Sequence, residues 1–196
     1  MALAKFVNVD VLTTVQIAAN AVVNSAEWDV EDYIEAFIGG YMGRDDTGGA
    51  LTAGLIARIQ ANPKTSGDDG WQSLRTYQSA LTNPASEAVS GTCNAGQAVV
   101  AMADTTGFVA GALVFIKNST IINSEVHRIK SVATNTSITL DDNLTNAQTG
   151  STCYSVAEKF GEVFSVFPFK RIRIQFDNTA NARTSVIDAK GSAGTI

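Results

Sequence analysis

Apolar and polar residues alternate along several short stretches of this chain, and turn-forming residues separate these stretches. In the clearest one, residues 171–176, Ile172, Ile174 and Phe176 alternate with arginine and glutamine. A period of two residues is typical of a β-strand with one buried and one solvent-facing side. Residues 55–61 show the same alternation, and both stretches contain the triplet Arg-Ile-Gln. We therefore predict that they are equivalent strands of one sheet system.

The rest of the first 85 residues carries weaker strand signals and clearer turn signals. Strands are predicted over residues 11–19, 22–28, 36–44 and 71–77, with a turn at 45–49 and a loop at 62–70. Gly39 and Gly40 interrupt one of these strands, which predicts a β-bulge there. Residues 29–37 have a second interpretation, a short helix capped by Asp29.

The sequence pattern of residues 90–158 is typical of a compact unit made of short strands. The predicted strands cover residues 97–102, 113–117, 125–132, 137–140 and 152–157. Gly107 and Gly111 are placed to form tight corners, and residues 133–136 form a hairpin turn. This number of short strands is typical of a small barrel.

Together these patterns predict an all-β fold. Helix signals are scarce, and turn residues recur about every ten positions, which is the spacing of a sandwich or barrel. We predict a jelly-roll-like β-sandwich domain formed by residues 1–89 plus 159–196, completed by a strand near residues 184–190. A small β-barrel domain, residues 90–158, is inserted into it, and an insertion of this kind requires ends that lie close together.

Composition narrows the classes of partner. The chain has 196 residues, of which 45% are hydrophobic and only 17% charged, so disorder is excluded. Its net charge of −5 disfavours nucleic acid and anionic membrane surfaces as partners. Polar residues interrupt every apolar run near the start, so we expect no secretion signal and no membrane span. A weakly charged surface suits a protein covered by neighbouring subunits.

The two cysteines, Cys93 and Cys153, leave two interpretations open. They are too few for a disulfide framework or a four-ligand zinc site, so they can be two buried thiols. Alternatively they form one disulfide, because one lies near the start and the other near the end of the inserted unit, whose ends must meet.

Groups for catalysis are sparse. The sequence has one histidine, His127, in a strand pattern without a nucleophile motif around it. The acidic pairs at positions 45–46, 68–69 and 141–142 lie in turns, where aspartate bonds the local backbone. Calcium binding at these pairs is the alternative. We therefore predict no enzyme activity, no cofactor and no metal site.

A basic and aromatic segment near the end of the chain is the candidate interface. Arg171 and Arg173 share one strand face, where they can pair with carboxylates of a neighbouring sheet or subunit. Phe167 and Phe169 belong to an aromatic run that begins at Phe160. That run fits either a core strand or an apolar patch on a partner subunit.

Several segments resemble virion proteins of tailed bacteriophages. The resemblance rests on GALVFIKN, SEVHRIKSV, SITLDDNLTNA and TCYSVAE, and on the flanking GDDGWQSL and KRIRIQFDNTANARTSVIDAKG. It implies a structural protein of the particle, either a capsid cement (decoration) protein or a head-to-tail neck component. The implied partners are major capsid or neck proteins and further copies of this chain. The implied location is the virion, assembled in the host cytoplasm.

Two other function classes remain. A carbohydrate-binding module or receptor-binding tail protein would use aromatic side chains as a sugar platform, although burial in the sandwich explains the same residues equally well. The candidates are Trp28, Trp71, Tyr41, Tyr77 and Tyr154. An enzyme with a carboxylate site would use one of the three aspartate pairs.

Overall fold

The computed structural model describes residues 6–44, 54–79, 84–156, 158–180 and 185–194. In these residues the regular structure is β-strand apart from one 3-10 turn, Ile121–Asn123, and no helix there is long and apolar enough to span a membrane. The strands are β1 (Phe6–Ile17), β2 (Val22–Asn24), β3 (Trp28–Asp29), β4 (Glu35–Arg44), β5 (Ile56–Asn62), β6 (Gln72–Gln78), β7 (Ser86–Ala88), β8 (Thr92–Cys93), β9 (Val99–Ala101), β10 (Leu113–Lys117), β11 (Glu125–Ala133), β12 (Ser137–Leu140), β13 (Gln148–Thr149), β14 (Thr152–Val156), β15 (Glu158–Ser165), β16 (Arg171–Asp177) and β17 (Ser185–Gly194).

Two antiparallel sheets form a sandwich. One has the strand order β1-β17-β4-β15, and the other has the order β2-β16-β5-β6, with β3 paired to β16. Without the short β3, the strand orders of these two four-stranded sheets are those of a jelly roll. The prediction of an all-β, jelly-roll-like fold is confirmed.

The inner faces of the two sheets share one hydrophobic core. On β16 every second residue is buried, as the alternation predicts: Ile172, Ile174 and Phe176 are inaccessible to solvent. Phe160 of the facing sheet lies edge-on to Phe176, with ring centroids 5.9 Å apart. Strand alternation thus places one apolar face of each sheet against the other.

The two Arg-Ile-Gln triplets are direct neighbours. Strands β5 and β16 pair antiparallel, with Ile59 opposite Ile174, so each arginine lies opposite the glutamine of the other triplet. Arg173 Nε donates to Gln60 Oε1 at 2.9 Å, and Arg58 Nη1 donates to the Gln175 side chain at 3.2 Å. The predicted equivalence of these two strands is confirmed.

The glycines of β4 do not form the predicted bulge. The pairing of β4 with β15 and β17 continues through Gly39 without a register shift. A Cβ on Gly161, directly opposite and at φ +127°, would lie 2.3 Å from Gly39 Cα. The absence of side chains lets the two backbones approach each other closely.

The predictions for the remaining parts of the sandwich have mixed outcomes. Residues 29–37 form no helix: Asp29 lies in β3, its carboxylate accepts a bond from the Glu31 backbone N–H at 2.9 Å, and β4 begins at Glu35. The local bond that favours a helix cap here closes a turn instead. The predicted strands 11–19 and 22–28 correspond to β1, β2 and β3, and the predicted turn at 45–49 lies outside the described residues.

Between β6 and β15 the chain forms a strongly curled, half-barrel sheet. Its order is β7-β14-β10-β11-β12-β9, while β8 pairs with β13 separately. The bridge Val89–Met102 links the two ends of the curled sheet. The hairpin turn at 133–136 is as predicted, with Asn135 at φ +51°. The assignment of residues 90–158 to a separate domain stays a prediction.

Strand β10 is buried on both faces. Val114 and Ile116 belong to the hydrophobic cluster enclosed by the half-barrel sheet. Leu113 and Phe115 form another cluster, against which Tyr41 of β4 packs. This second cluster joins the half-barrel sheet to the sandwich, and Leu113 and Tyr41 also line the cleft described below.

Candidate functional site

A cleft of about 540 Å3 lies between strand β4 of the sandwich and strands β10 and β11 of the half-barrel sheet. Cavities of 300–1,000 Å3 are typical of small-molecule sites. The residues that line it are Phe37, Gly39, Gly40, Tyr41, Leu113, Val126, His127, Arg128, Asp141, Asp142, Phe160 and Lys190. They come from six separate parts of the sequence, and the fold alone brings them together.

The cleft carries charges of both signs. Arg128 and Lys190 contribute two cations, and Asp141 and Asp142 contribute two carboxylates. Arg128 Nε lies 3.8 Å from Asp141 Oδ2, and both side chains are about two-fifths exposed. The backbone N–H of Asp141 also donates to the carbonyl of Arg128 at 2.9 Å, which fixes the turn beside β11. The lining is therefore close to neutral in total charge.

Glu125, two residues before His127 on β11, is the centre of a buried hydrogen-bond network. Its carboxylate accepts bonds from the backbone N–H groups of Thr145 (2.8 Å) and Asn146 (2.7 Å) and from Gln148 Nε2 (3.0 Å). His127 Nε2 lies 2.9 Å from Glu125 Oε2. Each carboxylate oxygen thus has two partners.

The network sets the pKa of Glu125. Burial raises it, because desolvation penalises the charged form. The bonds from Thr145 and Asn146, with those from His127 and Gln148, outweigh burial and hold the pKa below its ordinary value. Glu125 is therefore an ionised structural group that fixes the 145–148 segment.

Arg171 and Arg173, predicted as interface residues, are engaged within the chain. Arg171 forms an ion pair with Glu27 and donates to the carbonyl of Lys64 at 2.9 Å. Trp71 lies against both guanidinium groups, with its ring centroid 5.1 Å from Arg171 Cζ and 4.1 Å from Arg173 Cζ. Trp71 reaches this polar face because the chain after the 62–70 loop returns along the same sheet as β6, which pairs with β5.

The aromatic run divides between core and surface. Phe160 and Phe164 are buried in the sandwich core, and Phe169 packs against that core. Phe167 is 77% exposed. Of the four predicted interface residues, Phe167 alone presents a large open surface, and whether the four form an interface stays a prediction.

Phe167 continues an exposed apolar strip, which we call the apolar edge: Ile34, Phe37, Val163 and Phe167. Val163 lies directly opposite Phe37 in the β4–β15 pairing. The carbonyl of Ile34 accepts a bond from the N–H of Val166, which precedes Phe167. Val163 is 60% and Ile34 46% exposed, and β15 is the terminal strand of its sheet in the order that the described residues show.

Both cysteines are buried in the half-barrel cluster as free thiols. Burial, and next the neighbouring Cys93, raise the pKa of Cys153 to about 12. The structure thus places the two cysteines close together, as the insertion argument expects. The disulfide itself stays a prediction.

Within the described residues the acidic pairs do not join a metal-binding cluster, and the proposed sugar platform does not form one surface. Residues 45–46 lie outside the described residues, and the exposed Asp69 forms an ion pair with Lys64. In the described parts of the chain no three metal-ligating side chains converge. Trp28 is in the sandwich core and Tyr77 packs against it, whereas Tyr41 and Tyr154 pack against the cluster of Leu113 and Phe115, so the five do not form one surface.

The cleft is what sequence reasoning missed. The pair Asp141-Asp142 was one of three similar turns, and nothing local distinguishes it. Its partner Arg128 is linked to it through β11–β12 pairing, whereas Tyr41 and Lys190 belong to the sandwich. Only long-range pairing identifies this pair as the one beside a cavity.

Comparisons with known proteins give weak similarities. No protein-family model matches the chain, and no curated protein matches it. Among solved structures, the SPBc2 prophage-derived protein YomS is similar at 9% identity and a TM-score of 0.32, with 100% of this chain and 97% of that chain covered. Infectious bursal disease virus structures are also similar, the Gt strain at 11% identity and a TM-score of 0.27 and the Gx strain at 11% and 0.20. They cover 97% and 99% of this chain but 39% and 41% of theirs. These similarities assign no family and no function.

Proposed function

We propose that this chain is a structural component of a tailed-phage virion. Its role is that of an accessory capsid (cement or decoration) protein, which binds major capsid subunits as a homo-oligomer and performs no catalysis. The observation that carries the proposal is the apolar edge on a terminal strand of a jelly-roll sandwich. Jelly rolls recur in viral capsid proteins, so the fold is compatible with the role, although a fold by itself assigns none.

The apolar edge has the properties of a docking surface. A terminal strand presents unpaired backbone groups, and proteins usually protect such edges with charge or proline. Here β15 carries charged residues such as Glu162, and Pro168 follows it, yet Val163 and Phe167 still present apolar side chains beside the edge. A contiguous exposed patch of this kind marks a protein contact. Only 17% of the residues are charged, so little repulsion opposes close packing of copies around a symmetric shell.

Variants of the apolar edge test the proposal. Purified protein is mixed with empty phage shells, and co-sedimentation measures binding. Val163→Asp and Phe167→Asp place a charge in the contact and are expected to abolish binding while the fold, followed by circular dichroism, is unchanged. Ile122→Asp is the matched control, because Ile122 is 84% exposed but lies in the 3-10 turn of the half-barrel region. The proposal is overturned if the wild-type protein does not co-sediment with shells, or if Val163→Asp and Phe167→Asp bind like the wild type.

The alternative is a neck component at the head-to-tail joint. The same apolar edge would then contact neck or portal subunits. Copy number in an intact particle separates the two roles, since a shell lattice repeats an interface hundreds of times and a neck ring about a dozen times. Quantitative mass spectrometry of purified particles gives this number.

A further inference from the structure

We propose that the cleft between β4 and the half-barrel sheet binds a neutral saccharide. This inference is separate from the proposed virion role, and of the apolar-edge residues the cleft shares Phe37 alone. It starts from the cavity itself, whose volume of about 540 Å3 suits a ligand of one or two sugar rings.

The apolar part of the lining provides ring surfaces. Phe37 and Tyr41 of β4 are the aromatic side chains available to a ligand, since the ring of Phe160, which also lines the cleft, lies in the sandwich core. The faces of a pyranose ring expose C–H groups, which pack on aromatic rings and form weak contacts with their π-systems. Gly39 lies between Phe37 and Tyr41, and the Phe37 ring uses the space that a side chain would take there: its Cζ lies 2.6 Å from the position of a Gly39 Cβ, so the ring lies along the strand.

The polar part of the lining provides donors and acceptors. Asp141 and Asp142 accept hydrogen bonds from hydroxyl groups, and Arg128 and Lys190 donate to hydroxyl and ring oxygens. Arg128 and Asp141 lie 3.8 Å apart, so one vicinal diol can bridge them, because its two hydroxyls act as donor and acceptor. Side chains of this kind beside aromatic rings recognise polyhydroxyl compounds.

The near-neutral total charge of the cleft favours an uncharged saccharide over an anionic one. Two carboxylates and two cations in the lining leave no excess charge to attract a phosphate or a sialic acid. An anionic sugar would gain from Arg128 and Lys190 but would meet repulsion from Asp141 and Asp142, which line the same cleft. We therefore assign a neutral sugar, as on the non-reducing end of a surface glycan.

A titration with defined sugars tests this inference. The probes are maltose, cellobiose, lactose and N,N′-diacetylchitobiose, added to 15N-labelled protein at up to tens of millimolar. At least one probe is expected to shift the amide signals of Gly39, Gly40, Arg128 and Asp142. Asp142→Asn and Phe37→Ala are each expected to weaken binding about tenfold, equivalent to about 1.4 kcal/mol.

Two controls make the outcome decisive. Asp68→Asn changes an exposed aspartate in the 62–70 loop, outside the cleft, and is expected to leave binding unchanged. Trp71→Ala tests the rival platform on the other sheet. The inference fails if no probe binds, if the cleft variants bind like wild type, if Trp71→Ala abolishes binding, or if sialyllactose or glucose 6-phosphate binds more tightly than every neutral probe.

Discussion

Arg173 Nε donates to the side chain of Gln60 at 2.9 Å, across the central strand pair of one sheet. The same guanidinium group lies 4.1 Å from the centroid of the Trp71 ring. Gln60 is only 8% exposed, so its acceptor oxygen has little access to water. This contact joins β5, β16 and the start of β6 on the outer side of the sandwich.

Loss of the Arg173 side chain should therefore destabilise the sheet. Arg173→Ala is expected to lower the free energy of unfolding by about 1–2 kcal/mol, because it removes a hydrogen bond to a buried acceptor and a cation–π contact. Urea denaturation followed by tryptophan emission measures the change. Arg75→Ala, which removes an exposed ion pair with Glu162, is the control and should cost about 0.5 kcal/mol or less. Equal effects of the two variants would contradict the role given to Arg173.

The Gly39–Gly161 approach gives a second prediction. Gly161→Ala is expected to cost about 3 kcal/mol or more, because the new Cβ would lie 2.3 Å from Gly39 Cα and 2.6 Å from the Ile38 carbonyl oxygen, at a left-handed φ. Gly91→Ala is the control: its φ is also positive, +73°, but nothing lies within 4 Å of the added Cβ. Thermal unfolding of both variants separates the steric clash from backbone strain. A Gly161→Ala protein as stable as Gly91→Ala would contradict the close approach.

The Glu125 network predicts a dependence of stability on pH. The pKa of Glu125 is lower in the folded chain than its ordinary value of 4.5, so the unfolded chain binds more protons between these two pKa values. The stabilisation by Glu125 is thus fully present above about pH 4.5 and is lost as the pH falls through the folded pKa.

Glu125→Gln measures this contribution. At neutral pH the variant is expected to be less stable by about 1–3 kcal/mol, because its amide NH2 cannot accept the bonds from Thr145 or Asn146. Urea denaturation between pH 3 and 7 should show this deficit shrinking as the pH falls. The exposed Glu35→Gln is the control, and a deficit that stays constant across the whole range would argue against the network.

The high pKa of Cys153, about 12, predicts a slow thiol reaction in the native protein. At pH 8 almost none of the Cys153 side chain is in the thiolate form, and burial also keeps the alkylating reagent away from the sulfur. Iodoacetamide should therefore leave both cysteines unmodified in the folded, reduced protein and alkylate both in urea. Mass spectrometry counts the added groups. Rapid modification of Cys153 without denaturant would contradict its burial.

The same mass measurement addresses the predicted bridge. If Cys93 and Cys153 form a disulfide in an oxidising medium, protein that has been exposed to air should resist alkylation even in urea until it is reduced. Alkylation in urea without a reductant would show that the thiols remain free. Cys93→Ser provides the reference for a single thiol.

The sequence predicted strands well where burial follows a simple alternation. Strands β10 and β12 have the predicted bounds, and β16 is one residue longer than predicted. These predictions succeed because β12 and β16 bury one face along their whole length and β10 buries both faces. The helix predicted over residues 29–37 is wrong, although its cap residue, Asp29, does bond the local backbone. The apolar residues of β4 that follow favour a strand.

Features that depend on two distant segments were not predictable. Gly39 looks like a bulge in isolation, and only Gly161 on the paired strand shows that it permits close approach. Trp71 became part of the arginine face because β6 pairs with β5. The cleft needed the contact of Tyr41 with the Leu113 cluster, which no local pattern encodes.

The position of the half-barrel strands between β6 and β15 affects how the chain folds. Gln60 and Arg173 are neighbours in space but 113 residues apart in sequence. The entropy cost of closing such a loop grows with the length of flexible chain between its ends. If the intervening strands condense first around Val114 and Ile129, the flexible part becomes much shorter. We expect the half-barrel strands to fold early and to bring β6 and β15 close together. Mutations in the half-barrel core should then slow the folding of the sandwich, although they lie outside it.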